Sequence, residues 1–394
     1  MTEDQHQRLL QLLSQPTAPF REQHVIGHLS TLLEYSGVPF FQDPIGNLVL
    51  GVDSARAYRR VLRERTSEPL RLFVAHMDHP GFHGMRWLAP NRLAVRWHGG
   101  SPLKHLAGTR MRVVSDEGII GSGRLGKVVL AASGWSIDTA EIRVDFDTPA
   151  ARPRARALYG GFDFRAPVWE TKGKIYCPAA DDLAGVFAII ETACALWRRR
   201  RGRPQRRPWR HRPFLGLLTR AEEVGFVGAV GHLELGWLQE RRRPIVGISL
   251  EASRTLPGAQ IGNGPVVRLG DRRTVFNADG LRVLSEVAQT TLPGRHQRRI
   301  MDGGSCEATA MTAWGIPAIG ISVPLGNYHN QGVEGGPDCR GPGGPAPEFV
   351  SRDDISGLLE LCTALMSAKL PWQDPWAEQR SALRKNRDRL QRLL

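Results

Sequence analysis

The chain has 394 residues, 41% hydrophobic and 23% charged, a size and balance that suit a globular protein with one large domain and a smaller one. Lysine and arginine number 53 against 39 aspartates and glutamates, a net charge of +14 supplied mostly by arginine. No uncharged apolar run approaches the roughly 18 residues of a membrane span, and Met1 to Leu13 lacks the basic start, long apolar stretch and cleavage site of a signal peptide.

Leu9, Leu10, Leu12 and Leu13, then Val25, His28, Leu29 and Leu32, predict two short amphipathic helices divided by Pro16. Asn47 to Gly51 predicts a strand after the turn at Gly46. Leu72 to Ala75 predicts a buried strand with His76 at its C-terminal end. From about Met85 to Lys172 short alternating runs take over: Arg92 to Trp97, Arg110 to Val114 and Ile142 to Phe146. Glycine and proline punctuate them, so a small all-β unit is expected inside an α/β domain. The expected division is 1–84 and 173–370 for the main domain, 85–172 for the inserted β domain, and 371–394 for a basic tail.

After Asp182 the α/β rhythm resumes. Ala184 to Trp197 predicts a helix, Phe214 to Leu218 and Ile245 to Leu250 strands, and Gly280 to Ala288 a helix. Ala318 to Val323 predicts another strand and Asp353 to Ala368 a further helix. Helices between short buried strands imply an α/β fold with a mainly parallel mixed sheet covered on both faces. Ligands of such sheets bind beyond the carboxyl ends of the strands. His76, Glu222, Glu223 and Glu251 all fall at or just past such ends.

Nine arginines crowd Arg198 to Arg212, interrupted by Pro204 and Pro208. A polyanion-binding patch is one reading. No aromatic interleaving or nucleic-acid motif accompanies the block, so an exposed loop is the expectation, and nucleic acid is not an expected partner. Arg241 to Arg243 and Arg295 to Arg299 read as solvated surface. The five cysteines, Cys177, Cys194, Cys306, Cys339 and Cys362, are scattered, with no C-x-x-C pair, which suits a reduced, cytoplasmic protein.

The chemistry lies in the carboxylates and histidines. His76 and Asp78, two apart on an extended segment, face the same side, and a metal-bound imidazole usually donates its other N–H to a partner such as this carboxylate. Asp181-Asp182 precedes a helix, where aspartate serves as an N-cap or, with two free oxygens, as a bridge between cations. Glu222 and Glu223 end a buried strand, where adjacent carboxylates repel and are costly to desolvate unless cations offset the charge. Adjacent side chains diverge, so one can bind metal while the other faces a reacting water. Glu251 is another strand-end carboxylate, and His329 sits in the loop Gly326 to Asn330. Two histidines and three carboxylates suit zinc, cobalt or manganese.

In this order the segments resemble the co-catalytic di-metal aminopeptidases, in particular the tetrahedral, self-compartmentalising branch that includes glutamyl and deblocking aminopeptidases. The resemblance runs from about Thr17 to about Leu370. It rests on PTAPFREQHV (16–25), DPIGNLVLG (43–51), VAHMDHPGF (74–82), PAADDLAGVFAIIE (178–191), LTRAEEVGFVGA (218–229), ISLEAS (248–253), IGNGP (261–265), MDGGSCEATAM (301–311) and GIPAIGISVPLGNYHN (315–330). It implies that Asp181 bridges two divalent metals, with His76 and Glu251 completing one site and Glu223 and His329 the other. Asp181 rather than Asp182 is implied because it stands four residues before Gly185. A cis Asp181–Asp182 peptide, a Glu222 general base, peptide substrates, a homo-oligomer and a smaller domain at the inserted β unit are implied as well. Four changes depart from the branch: Glu251 and Glu307 stand where aspartate is usual, Leu183 where arginine is usual, and His79-Pro80 where a Glu-Ile pair is usual. These changes bear on substrate choice. An N-acyl amino-acid deacylase or a dipeptidase on the same scaffold would use nearly the same ligands, and a non-catalytic polyanion-binding protein would not need Glu222.

Overall fold

The computed structural model describes residues 1–147, 152–198 and 213–393. Most of the arginine block, 199–212, therefore lies outside the described residues. Among the described residues the main sheet has eleven strands. At its centre four parallel strands stand side by side: Phe214–Thr219, Leu70–His76, Ile245–Arg254 and Ala318–Gly326. Phe214–Thr219, Leu70–His76 and Ala318–Gly326 are buried at every residue, which is why they read as continuous apolar runs.

Antiparallel strands extend this core. Phe40–Gln42 and Leu48–Leu50 lie on one side, and Glu348–Ser351, Lys174–Cys177 and Trp169–Thr171 on the other. Val266–Asp271 branches from Ala318–Gly326 and pairs in parallel with Gln297–Met301. The four central strands all point the same way, so the residues at and after their ends gather at one edge.

The helix Leu183–Arg198 crosses one face of the sheet and is buried from Leu183 through Cys194. A helix apolar all round belongs in such a position, between the sheet and outer helices. Its buried Glu191 is held by Arg8, with Nε at 2.6 Å and Nη2 at 2.9 Å. On the opposite face the helix Glu307–Ala313 presses so close that a Cβ on Gly247 would collide with Met311 Sδ.

Directly after Pro80 the chain enters a six-stranded closed barrel, in the order Gly81–Ala89, Arg92–His98, Ile137–Phe146, Gly118–Leu130, Arg110–Ser115 and Tyr159–Phe162. Alternating burial along Arg92–His98 gives the barrel its own core of Phe82, Leu93, Val95, Met111, Val113, Ile142 and Phe162. The barrel strands run from Gly81 to Phe162, and Trp169–Thr171 already belongs to the main sheet.

One surface expectation needs correction. Arg243 is not solvated but 2% exposed; Nη1 donates to Glu64 Oε2 at 2.8 Å and Nε to the Glu68 carbonyl at 2.8 Å. It leads into the central strand Ile245–Arg254 beside the segment 62–68, which supplies its acceptors. The five cysteines are unpaired. Among the described residues no helix is long and apolar enough to cross a membrane.

Candidate metal centre

All seven residues singled out in the sequence come to the same edge of the sheet. His76 ends its strand, Glu222 and Glu223 follow Phe214–Thr219, and Glu251 lies near the end of Ile245–Arg254. Asp181 precedes the buried helix, and His329 follows Ala318–Gly326. Potential ligand atoms of His76, Asp181 and Glu251 lie within 4.8 Å of one another, and so do those of Asp181, Glu223 and His329. Asp181 belongs to both groups. Its Oδ1 is 3.4 Å from His76 Nε2, while its Oδ2 is 3.7 Å from His329 Nε2. Glu223 Oε2 approaches His329 Nε2 at 3.0 Å, and Glu222 Oε2 is 3.8 Å from His76 Nε2.

The aspartate pair divides its work. Asp182 turns away and accepts the Gly185 N–H at 3.1 Å, an ordinary helix cap, leaving Asp181 to face the centre across a cis peptide. Asp78 departs from the simplest sequence reading. The nearer acceptor for His76 Nδ1 is the Asp78 carbonyl at 3.1 Å, with the carboxylate at 3.7 Å. The Asp78 carboxylate instead accepts the N–H of Glu222 at 2.9 Å and of Glu223 at 3.1 Å. A fully buried carboxylate needs donors on both oxygens, and two adjacent amides supply them.

Asn47, Glu22 and Glu348 were not legible as site residues. Four consecutive amides, those of Arg220, Ala221, Glu222 and Glu223, donate to Asn47 Oδ1, Glu22 Oε1 and the two Asp78 oxygens in turn. Ala221 is held at φ +50°, a conformation costly for any residue but glycine and sustained only where the surroundings fix it. Glu348 does the same on the other side. Its Oε2 accepts the N–H of Ala180 at 2.8 Å and Asp181 at 3.1 Å, and its Oε1 the N–H of His329 at 2.9 Å. The signal in the sequence was an acid just before the short apolar pair Phe349-Val350, but an isolated glutamate does not announce its donors.

So many carboxylates in one buried place strain one another. Burial pushes Glu222 well above the usual carboxylate range; the charge of His76 opposes the shift, and Glu223, Glu307 and Asp78 add to it. Burial likewise raises Glu251. Burial works against charge on His76, yet the neighbouring Glu222, Asp181 and Asp78 hold it well above the usual imidazole range. Asp181 Oδ1, Glu223 Oε1 and Glu251 Oε1 are buried without a hydrogen bond. Buried, unpartnered carboxylate oxygens are costly, and divalent cations are the partners this mixed nitrogen and oxygen set fits.

A cleft opens over Glu222 and Glu223, walled by Phe226, Arg254, Arg273 and Tyr328, with Gly100 and Trp135 contributed by the barrel segment. A Cβ on Gly100 would collide with His329 Nδ1, so the barrel reaches the centre itself. A smaller cavity lies beside Glu251, lined by Arg268, Arg254, Ser305 and Tyr328 among others. Arg268 is 2% exposed, and its Nε and Nη1 have no hydrogen-bond partner.

A family model described as M42 glutamyl aminopeptidase matches residues 59–334. No curated protein sequence matches the chain. Among solved structures, the chain is similar to a TET1 peptidase of Pyrococcus horikoshii that can assemble into a tetrahedron or an octahedral shell. That likeness has 19% identity and TM-score 0.68, covering 92% of this chain and 99% of that one. A TET aminopeptidase from a marine-sediment Thaumarchaeota archaeon gives 17% identity and TM-score 0.69, covering 94% and 98%. An aminopeptidase from the archaeon Desulfurococcus kamchatkensis gives 19% identity and TM-score 0.69, covering 94% and 97%. At such identities the structural likeness speaks for the fold.

Proposed function

The chain belongs to the M42 glutamyl aminopeptidase family, and from that premise we propose that it removes N-terminal residues from peptides at a centre built for two divalent ions. It is a metal-dependent aminopeptidase. The observation that carries the two-ion reading is Asp181, whose two oxygens face two different histidines. Asp181, His76 and Glu251 would hold one ion, and Asp181, Glu223 and His329 the other. Zinc, cobalt and manganese suit this donor set. When bound, such ions lower the pKa of water and stabilise negative charge on a peptide carbonyl oxygen.

Glu222 lies outside these two groups and opens on the cleft, although its carboxylate also comes within 4.8 Å of potential ligand atoms of His76 and Glu223, and of Glu251 and Glu307. As a water oxygen bonds to the carbonyl carbon, Glu222 accepts a water proton and delivers it to the leaving amine as the C–N bond breaks. Asp78 holds the backbone of Glu222 and Glu223 throughout, and its carbonyl fixes the His76 ring. Arg268, whose buried Nε and Nη1 make no hydrogen bond, and the exposed Arg254 line the cavity beside Glu251 and support an acidic side chain on the N-terminal residue, since a guanidinium pairs well with a carboxylate. Relatives that form shells support self-association of this chain too. Unpaired cysteines support a reducing, cytoplasmic setting.

The test combines metal analysis by mass spectrometry with aminoacyl anilides of Glu, Asp, Leu and Lys, free or N-acetylated. Two ions per chain and cleavage of free-amino substrates, lost with chelator and restored by metal, are expected. One ion per chain sinks the two-ion reading, and preferential cleavage of the acetylated compounds would make the protein a deacylase. Glu-anilide should lead the panel, and Arg268→Met should abolish that lead while sparing Leu-anilide. A flat panel removes the acidic preference.

A further inference from the structure

Tyr328 has no part in the proton transfers assigned to Glu222, although it stands at the centre. Its ring stacks on that of His329, with centroids 3.7 Å apart and planes at 22°. The backbone that delivers this pair is strained: Asn327, His329 and Asn330 have φ of 56°, 53° and 58°. Such a run persists only where its surroundings dictate it. Asn327 is tied on every side. Its Nδ2 donates to the carbonyls of Gly335 at 2.8 Å and Pro347 at 2.9 Å, and its Oδ1 accepts the N–H of Glu334 and of Gly335, each at 3.1 Å. With Glu348 holding the His329 amide, the turn sets His329 and Tyr328 side by side.

Tyr328 lines both the cleft over Glu222 and Glu223 and the cavity beside Glu251. The side chain is half-buried, and its hydroxyl makes no hydrogen bond to a described residue, which leaves it free for a ligand in these cavities. The charges of Asp181, Glu222, Glu223 and Glu251 bear on it from the metal centre, while Arg254, Arg268 and Ser305 share the cavity beside Glu251. Hydrolysis of a peptide places new negative charge on the carbonyl oxygen, and a positioned neutral donor there acts on the transition state.

We propose that Tyr328 is a catalytic residue whose hydroxyl donates a hydrogen bond to the scissile carbonyl oxygen as it becomes an oxyanion. The role rests on the aminopeptidase reading. No proton changes owner in this contact: the phenol keeps its hydrogen, and the charge leaves the oxygen when the carbonyl re-forms and the C–N bond breaks.

Tyr328→Phe separates this role from packing, because phenylalanine keeps the ring on His329 and removes only the hydroxyl. The expected result is a fall in kcat of about 10²-fold, in the range for loss of one oxyanion donor. KM and metal content should stay at the wild-type values. Affinity for a peptide phosphonate, whose tetrahedral oxygens imitate the oxyanion, should fall by a similar factor in calorimetry, while affinity for the product amino acid holds. Turnover of Tyr328→Phe within about threefold of wild type, with unchanged phosphonate affinity, would reduce Tyr328 to a ring packed on a histidine. Loss of metal from Tyr328→Phe overturns the proposal in favour of a role in the His329 site. A wild-type chain that cleaves no peptide or anilide overturns the aminopeptidase reading, and this inference with it.

Discussion

Asp78 and Glu348 do matching work at opposite sides of the centre, each lending both carboxylate oxygens to the amides that carry Glu222, Glu223, Asp181 and His329. Loss of an acceptor leaves a buried N–H at a cost of about 1–3 kcal/mol. Glu348→Ala strands three such groups, so it should lower Tm markedly and weaken metal retention, whereas Glu348→Gln should keep part of both. Thermal scans and metal analysis before and after dialysis check this; full metal retention by the alanine variant would confine Glu348 to packing. Glu222→Gln should behave in the opposite sense. Its Tm and metal content should match wild type while kcat falls by about 10²–10⁴-fold, the range for a lost general base. Metal lost together with activity would make Glu222 a ligand. The charged groups at strand ends were legible because a carboxylate is conspicuous beside an apolar run. Glu22 and Asn47 were not, because their task is set by amides nearly two hundred residues away.

At the scale of elements, the barrel carries a pH-sensitive contact. His83, in the barrel strand Gly81–Ala89, lies with its ring 4.4 Å from that of His98 and its Nε2 2.8 Å from the Pro19 carbonyl. Burial, and then His98, push His83 from 6.5 down to about 4. The unfolded chain therefore takes up a proton near pH 6.5 that the folded barrel refuses until about pH 4. The stabilisation is complete above pH 6.5 and is lost as pH falls through that window. Tm measured from pH 7.5 to 4 should drop less steeply in His83→Gln than in wild type, and parallel curves would refute the assignment. The elements legible in the sequence were those with a clear period. The helix Leu183–Arg198 and the buried central strands are examples, along with the alternating run Arg92–His98. Glu348–Ser351 and Gln297–Met301 were not predicted as strands, since four or five residues with charges among them carry no recognisable period.

At the scale of the molecule, the last helix stands apart. Ala377–Leu390 has no buried residue, whereas the segment before it is anchored. Arg71 lies 5.4 Å from the Trp372 ring, and Trp376 Nε1 donates to Asp279 Oδ1 at 2.7 Å. Ending the chain after Trp376 should change stability by less than about 0.5 kcal/mol, the scale of surface changes away from packed features. Tm checks this directly. Light scattering on the same sample reports assembly, and a fall in mass would show that the helix docks on a neighbouring copy. A larger loss of Tm with the mass unchanged would mean that the helix packs on its own chain.

The sequence alone determined the fold class, a small all-β unit between two parts of an α/β domain and the histidines and carboxylates at one edge. These follow from hydrophobic period and strand polarity, which are local properties. Tertiary structure closed the β unit into a barrel and decided how the histidines and carboxylates are arranged and held. Asp181 stands between His76 and His329, an arrangement the resemblance already implied, while three distant acceptors, which nothing in the sequence announced, fix the amides from Arg220 to Glu223. A turn held by Asn327 sets Tyr328 over the cleft. The amides depend on hydrogen bonds between segments far apart in the chain and the turn on bonds within 327–347, and no periodicity encodes such partners.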